Sequence, residues 1–125
     1  MSPPTLRIFV VDDDEIILKS LSRTLRRPGF EVLSFNSAEA ALARLGEAPD
    51  LIVCDYHLPK VDGLSVAAQA KRAHPRARTL LMSGAIEDDA VLAALQSRVV
   101  DRFLVKPWHQ DELLALVDAL LAELL

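Results

Sequence analysis

Polar side chains with the chemistry for phosphoryl transfer follow directly after short apolar runs in this sequence. They are Asp12, Asp13, Asp55, Ser83 and Lys106. Two carboxylates about 4 Å apart repel each other by about 4 kcal/mol at an effective dielectric constant of about 20. A hard divalent cation, which oxygen ligands bind, removes that repulsion. Together the cation, the ammonium group and the hydroxyl make a receptor for a charged phosphoryl group, with Asp55 as its nucleophile.

These residues can converge only if the elements before them share one sheet. Apolar and β-branched runs predict strands at 6–11, 30–35, 51–55, 79–82 and 100–105. Helical patterns fill the gaps at 15–25, 37–45, 64–73, 87–96 and 111–125, with Gly46 just past the second helix. Strict alternation predicts an α/β fold, a doubly wound five-stranded parallel sheet with helices on both faces. In such sheets functional groups gather at the carboxyl ends of the strands.

Composition limits the class of protein. The chain has 125 residues, 51% of them hydrophobic, which suits a single domain. We expect residues 5–125 to form the folded core and residues 1–4 a loose tail. The net charge of -4 gives no reason to expect direct nucleic-acid binding. No apolar run has the length of a membrane span, no signal peptide is evident, and Cys54 is the sole cysteine, so we expect a cytoplasmic location.

Four motifs resemble a known family. They are VVDD at 10–13, LIVCDYHLPKVDG at 51–63, LLMSGA at 80–85 and FLVKPW at 103–108. In this order and spacing they resemble the receiver domain of bacterial two-component response regulators. The resemblance implies a flavodoxin-like fold with strand order 2-1-3-4-5. It also implies that a sensor histidine kinase or a phosphotransfer protein donates a phosphoryl group to the domain.

The same resemblance implies a role for each site residue. Asp55 would be the phosphoacceptor, with Ser83 and Lys106 contacting the phosphoryl group. Mg²⁺ (or Mn²⁺) would be the cofactor, and its protein ligands would be Asp12, Asp13, Asp55 and the backbone carbonyl of His57. The domain would catalyse its own phosphorylation and dephosphorylation without being a metabolic enzyme.

The family also implies how the signal would spread. Ser83 would move toward the phosphoryl group, and Phe103 would turn into the vacated space. The face made by the fourth helix, fifth strand and fifth helix would then change. The bond between Lys106 and Pro107 would be cis.

Two other classes of protein stay open. One is a phosphohydrolase of the haloacid dehalogenase type, which places its nucleophile after the first strand. Its motif has a second Asp two residues later, then Thr or Val, whereas here Asp14 and Glu15 follow Asp12. The other is a receiver-like interaction module that does not accept phosphate.

Several further residues have simpler interpretations. Asp14 and Glu15 suit the N-terminus of a helix, and Cys54 suits a packed thiol. We expect three exposed histidines that form no metal site: His57, His74 and His109. We expect a solvated basic face from Lys71, Arg72, Arg76 and Arg78.

The last helix carries more leucines than one buried face needs. Part of it is therefore predicted to form a docking surface or a homodimer interface. The alternative partner is an effector domain beyond Leu125. No membrane partner is expected.

Overall fold

The computed structural model describes residues 5–84 and 89–124 and contains one parallel sheet. Its five strands run in the order β2-β1-β3-β4-β5. They are β1 (Leu6–Val11), β2 (Phe30–Phe35), β3 (Leu51–Asp55), β4 (Arg78–Ser83) and β5 (Arg102–Val105). The helices are α1 (Glu15–Leu25), α2 (Ala38–Leu42), α3 (Gly63–Ala73), α4 (Asp89–Gln96) and α5 (Gln110–Ala122). The predicted fold class and strand order are confirmed.

The core consists of two layers, one on each face of the sheet. Because side chains alternate along a strand, Ile8 and Val10 of β1 face one layer, and Phe9 and Val11 face the other. The first layer is closed by the apolar faces of α1 and α5, and the second by those of α2, α3 and α4. β3 is buried along its whole length, as expected for the central strand of a sheet covered on both faces. The fold thereby holds the carboxyl ends of β1 and β3 side by side.

The second helix is shorter than predicted. Ser37 caps it as expected, accepting a hydrogen bond from the Ala40 amide at 3.1 Å. However, the amide of Arg44 bonds to the carbonyl three residues back, and a 3-10 turn follows at Leu45–Glu47. Gly46 therefore lies inside that turn rather than just past the helix, and the residue with left-handed backbone after the turn is Ala48, whose φ is 55°.

Other boundaries shift by one to three residues. α3 begins at Gly63, one residue earlier than predicted, and β4 extends one residue at each end to reach Ser83. β5 starts at Arg102 because the side chains of Asp101 and Thr79 take up hydrogen bonds at its entrance. α5 starts one residue earlier than predicted and ends at Ala122, three residues before the predicted end. The predicted start of the fourth helix at Glu87 and the tail at residues 1–4 lie outside the described residues.

The basic stretch is not a uniformly solvated face. Lys71 donates to the Asp101 carboxylate at 2.6 Å, and the two side chains are only 16% and 9% exposed. The same carboxylate accepts the backbone amide of Thr79 at 2.8 Å. Arg78 approaches it at 3.9 Å and pairs with Glu123 at 3.2 Å. Asp101 thus ties α3, β4 and the α4–β5 connection together, and the prediction of solvation is wrong for Lys71 and Arg78.

The expectation that His74 is exposed is wrong. His74 is half-buried, and its Nε2 atom lies 2.6 Å from the carbonyl of Leu45. In α5, Leu113 and Leu120 are buried, and the remaining leucines of the helix contact the same layer of the core. These leucines therefore serve the core at least in part, and the docking surface or homodimer interface predicted on this helix stays a prediction. Within the described ranges, no helix combines the length and apolar character needed to cross a bilayer.

Replacing Asp101 by Ala should destabilise the domain by about 2–3 kcal/mol, because it leaves the buried amide of Thr79 and the ammonium of Lys71 without their carboxylate. Urea unfolding measures the change. Asp118→Ala is the matched control, since its ion pair with Arg27 joins side chains 37% and 55% exposed. That variant should change the free energy of unfolding by less than about 0.5 kcal/mol. Equal effects of the two variants would contradict the account of this network.

Candidate functional site

Three carboxylates from two neighbouring strands meet at the carboxyl edge of the sheet. Each of Asp12, Asp13 and Asp55 has an oxygen within 4.8 Å of an oxygen of the other two. The register that pairs Val11 with Cys54 places the end of β1 beside the end of β3. The structure therefore brings together all three of the acidic residues singled out in the sequence.

The two residues that follow β1 occupy different environments. Asp12 is fully buried, and its amide continues the ladder by donating to the Phe35 carbonyl at 3.1 Å. Its Oδ1 atom accepts the amide of Asp14 at 2.9 Å. Asp13 is exposed at the mouth of the site. One carboxylate is thus held rigidly by the backbone, and the other stays accessible from solvent.

Asp14 begins α1 rather than joining the acidic group. Its Oδ1 atom accepts the amides of Ile16 and Ile17 at 2.9 and 3.3 Å, which is N-capping geometry. Glu15 lies in the first turn, where the helix dipole favours a negative charge. The run of four acidic residues therefore divides into two site carboxylates and two that stabilise the helix.

Lys106 bridges the buried carboxylates. Its Nζ atom lies 3.0 Å from Asp55 Oδ1 and 3.2 Å from Asp12 Oδ2. These side chains are 22%, 9% and 1% exposed, so solvent screens the interaction only weakly. The lysine comes from the end of β5, beyond β4, and its amide donates to the Ser83 carbonyl at 2.8 Å. The bond between Lys106 and Pro107 is cis.

Burial and charge shift the proton affinities of this group. Burial raises the pKa of Asp12 above its usual value, and the neighbouring Asp55 adds to the rise, although the Asp14 amide and Lys106 act against it. Burial works to lower the pKa of Lys106, but its hydrogen bond to Asp55 and the charge of Asp12 outweigh burial and raise it. The ammonium is therefore held in its charged form beside the carboxylates.

The remaining predicted residues surround this centre at different depths. Ser83 ends β4 and is buried, one register position beyond the pairing of Asp55 with Met82. Phe103 on β5 is half-buried and contacts the core layer under α3 and α4. The side chain of His57 is exposed and makes an edge-on contact with Tyr56, with ring centroids 4.7 Å apart.

Gly63 is a positioning residue that sequence reasoning passed over. A Cβ atom at this position would clash with the backbone oxygen of Asp55 and lie 2.9 Å from Cα of Tyr56. The Gly63 amide donates to the Tyr56 carbonyl at 2.8 Å, which closes the β3–α3 loop against the end of the strand. The Asp62-Gly63 pair was the available signal, but it indicates only a turn.

Cys54 takes no part in the site. Its side chain is buried in the layer opposite the one that holds Val53, as alternation predicts. Burial raises the pKa of the thiol well above its usual value, and the charges of Asp55 and Asp12 add to this effect. A thiol that stays protonated in the core is a packing residue.

A half-buried lysine bridging two buried carboxylates at the carboxyl edge of a 2-1-3-4-5 sheet defines the class of receiver domains. The sequence profile of the response regulator receiver domain family matches residues 8–118. The chain therefore belongs to this family and is a receiver domain of two-component signalling. This membership favours the receiver over the haloacid dehalogenase interpretation.

Individual relatives agree with the profile. The chain is 36% identical over 112 residues to the DNA-binding transcriptional regulator NtrC of Escherichia coli (strain K12), covering 89% of this chain and 24% of NtrC. It is 39% identical over 116 residues to the transcriptional regulatory protein PrrA of Mycobacterium tuberculosis, covering 92% of this chain and 49% of PrrA. The chain thus spans about a quarter and about half of these relatives.

The fold matches a solved structure equally well. A response regulator receiver domain protein (CheY-like) from Methanospirillum hungatei JF-1 superimposes with a TM-score of 0.87 and 28% identity, covering 95% of each chain. Receiver domains bind Mg²⁺ in an acidic pocket, and here the acidic group is Asp12, Asp13 and Asp55.

Asp12→Asn should stabilise the metal-free protein at pH 7, because it removes a buried charge whose pKa the fold raises. Above the raised pKa the ionised carboxylate costs stability, and this cost disappears as the pH falls below the unfolded value of about 3.9. The difference in free energy of unfolding between the variant and the wild-type protein should therefore shrink as the pH is lowered. Urea unfolding in a chelator across this pH range measures it. A variant less stable at pH 7, or a gain that grows on acidification, would contradict the assignment.

Proposed function

We propose that Asp55 accepts a phosphoryl group from a phosphohistidine of a sensor histidine kinase or phosphotransfer protein. The observation that carries this proposal is the 3.0 Å contact of Lys106 Nζ with Asp55 Oδ1 inside a group of three carboxylates. Asp55 is the central member, contributed by the buried β3, and its side chain is 9% exposed. A nucleophile in that position is shielded from bulk water but accessible through the mouth of the site.

Transfer of the phosphoryl group needs no reactants other than the phosphohistidine and the Asp55 carboxylate. An oxygen of the Asp55 carboxylate attacks phosphorus as the phosphorus–nitrogen bond to the donor imidazole breaks. The nitrogen keeps the bonding electrons, and the product is an acyl phosphate on Asp55. The Lys106 ammonium, already within hydrogen-bond distance of this carboxylate, stabilises the added negative charge. Later attack of water on phosphorus returns Asp55 and inorganic phosphate.

The donor set suits Mg²⁺ or Mn²⁺. Asp12, Asp13 and Asp55 supply carboxylate oxygens, and the backbone carbonyl of His57 would supply another, so every ligand is the hard oxygen type that these ions prefer. Bound there, the ion would supply positive charge for the phosphoryl oxygens. The exposed Asp13 would leave room for water ligands, which Mg²⁺ usually retains.

A change at Ser83 would be transmitted to the surface formed by α4 and β5. The Ser83 carbonyl already accepts the Lys106 amide, and β4 pairs Leu81 with Phe103, so a movement at the site acts on β5. The surface next to Phe103 carries two exposed apolar side chains, Leu92 at 49% on α4 and Val105 at 39% on β5. We infer that phosphorylation changes the population of states of this face, which contacts an effector.

The transcriptional relatives show the kind of output such a face could control. NtrC and PrrA are both named as transcriptional regulators and are longer than this chain. An effector domain on the same chain or a separate partner protein would receive the signal. A homodimer through the last helix has less support, because the described leucines of α5 contact the core.

The phosphodonor would dock beside α1. Ile16 is 81% exposed in the first turn of this helix, three residues beyond Asp13. A groove of about 500 Å³ continues this surface between Ile17 and Trp108 and reaches Lys106. An apolar surface at the mouth of an acidic site suits a helical partner that carries the histidine.

Asp55→Asn should abolish labelling by acetyl phosphate and Mg²⁺, because the amide cannot form the acyl phosphate. Intact-protein mass spectrometry measures the added phosphoryl group, and hydroxylamine should remove it from the wild-type protein. Asp111→Asn is the control, since Asp111 is exposed in the first turn of α5, and it should label like the wild-type protein.

Two results would contradict the proposal. Wild-type labelling of Asp55→Asn would place the phosphoacceptor elsewhere. No labelling of the folded, Mg²⁺-bound wild-type protein would favour the phosphorylation-independent interaction module.

Ile16→Glu should slow phosphoryl transfer from a phosphorylated histidine protein by about tenfold or more, as loss of an apolar interface anchor does. The helix should tolerate the change because a negative charge suits its first turn. Labelling by acetyl phosphate should be unchanged, since that donor needs no docking surface. Leu92→Glu, on the distant α4, should keep the wild-type rate with both donors. Equal slowing with both donors would show damage to the site and contradict the docking role.

A further inference from the structure

Two cations on one face of α1 and a third at its C-cap have no ion-pair partner in the part of the chain that the structure describes. They are Lys19, Arg23 and Arg26, all exposed. Arg27 differs from them, since it pairs with Asp118 and lies over the ring of Phe30, 4.3 Å from its centroid. In a protein of net charge -4, this row is a local positive surface.

The three cations border one cavity of about 440 Å³ between α1 and the edge of the sheet, and Glu15, in the first turn of the helix, is the one acidic residue that lines it. The floor includes Ser22 and Ser34. The Ser22 hydroxyl donates to the Leu18 carbonyl at 2.8 Å, so its contact with Ser34 must be donated by the Ser34 hydroxyl. Both hydroxyl protons are therefore used, and the cavity offers charge but no spare hydroxyl donor for a small phosphate.

On the sheet side the cavity is lined by Ser34 of β2, the strand at one edge of the sheet. The carbonyls of Gly29 and Phe35 face β1, because they accept the amides of Leu6 and Asp12. Backbone groups of alternate residues point to opposite sides of a strand, so those of Val32 and Ser34 point away from β1. This row of donors and acceptors can pair with another extended chain.

We propose that the α1–β2 cavity binds an extended acidic segment of a partner protein, which adds a strand to β2 and places alternate carboxylates against Lys19, Arg23 and Arg26. Lys19 and Arg23 are spaced by about 6 Å along the helix axis, and Arg26 follows at the C-cap, where the backbone is extended. Side chains on one face of a strand are about 6.6–6.8 Å apart. The Lys19–Arg23 spacing is therefore close to that of two acidic residues at alternate positions of such a segment.

A second copy of this chain does not supply that pattern through the same edge. The strand that would face β2 in a symmetric pair is β2 itself, which contains one acidic residue, Glu31. The cations would then face one another across the pair and repel. The proposed occupant is therefore a different, acidic chain.

A synthetic peptide tests this proposal. The probe is a capped chain of about seven alternating threonine and glutamate residues, and the control peptide has lysine in place of glutamate. Amide chemical shifts of the 125-residue chain are followed during titration at low salt. We expect saturable binding of the acidic peptide alone, with the amides of Val32 and Ser34 among the most shifted.

Charge-reversal variants separate this site from general attraction. Lys19→Glu with Arg23→Glu should raise the dissociation constant by about tenfold or more. Arg72→Glu with Arg76→Glu is the matched control on the exposed end of α3 and the following turn, and it should bind like the wild-type protein. Ser34→Pro should abolish binding, because it removes the Ser34 amide that points away from β1. An edge strand tolerates the loss of such an amide, so the fold should persist. Ser34→Ala keeps the amide and should bind the peptide.

Four results would overturn the proposal. They are absence of saturable binding, equal weakening by both double variants, shifts that spare the β2 amides, and binding that survives Ser34→Pro. A doubled mass of the peptide-free protein that Ser34→Pro abolishes would assign the edge to a second copy instead.

Discussion

The ammonium group of Lys106 holds together two buried carboxylates that would otherwise repel each other. It lies 3.0 Å from Asp55 and 3.2 Å from Asp12, and its own pKa rises in spite of its burial. The electrostatic cost that Lys106 does not offset falls on Asp12, whose pKa is raised. The site therefore contains more negative charge than one lysine neutralises, which is the condition under which a divalent cation binds and an added phosphoryl group changes the local balance.

The rest of the fold serves this arrangement by bringing distant segments to one edge. β1 and β3 are neighbours, whereas Lys106 comes from β5, so β4 lies between the lysine strand and the acidic strands. The lysine reaches across because its amide is anchored on the Ser83 carbonyl. Any movement of Lys106 or Ser83 therefore involves β4 and β5 together. At the other end of these strands, the Asp101 carboxylate fixes β4 to the segment that enters β5.

The local pattern of apolar and polar residues was enough to predict both the strands and the site residues, because site residues stand at the ends of the strands. A parallel strand buried on both faces needs an unbroken apolar run, and the polar residue that ends the run marks the carboxyl edge. Asp55 and Ser83 were found in this way. The long-range contacts were not predictable: nothing around Lys71 shows that its partner lies thirty residues away on Asp101. Similarly, composition showed too many leucines for one face of α5 but not how many the core would bury.

The most direct test of the central claim is the free energy of unfolding as a function of Mg²⁺ concentration. If Asp12, Asp13 and Asp55 form one oxygen cluster with excess negative charge, Mg²⁺ should stabilise the wild-type protein progressively, by about 1.4 kcal/mol for each tenfold rise above the dissociation constant. Asp13→Asn, which removes the exposed ligand and leaves Lys106 in place, should need a higher concentration for the same gain. Wild-type stability that does not change with Mg²⁺, or an equal response of Asp13→Asn, would contradict the account.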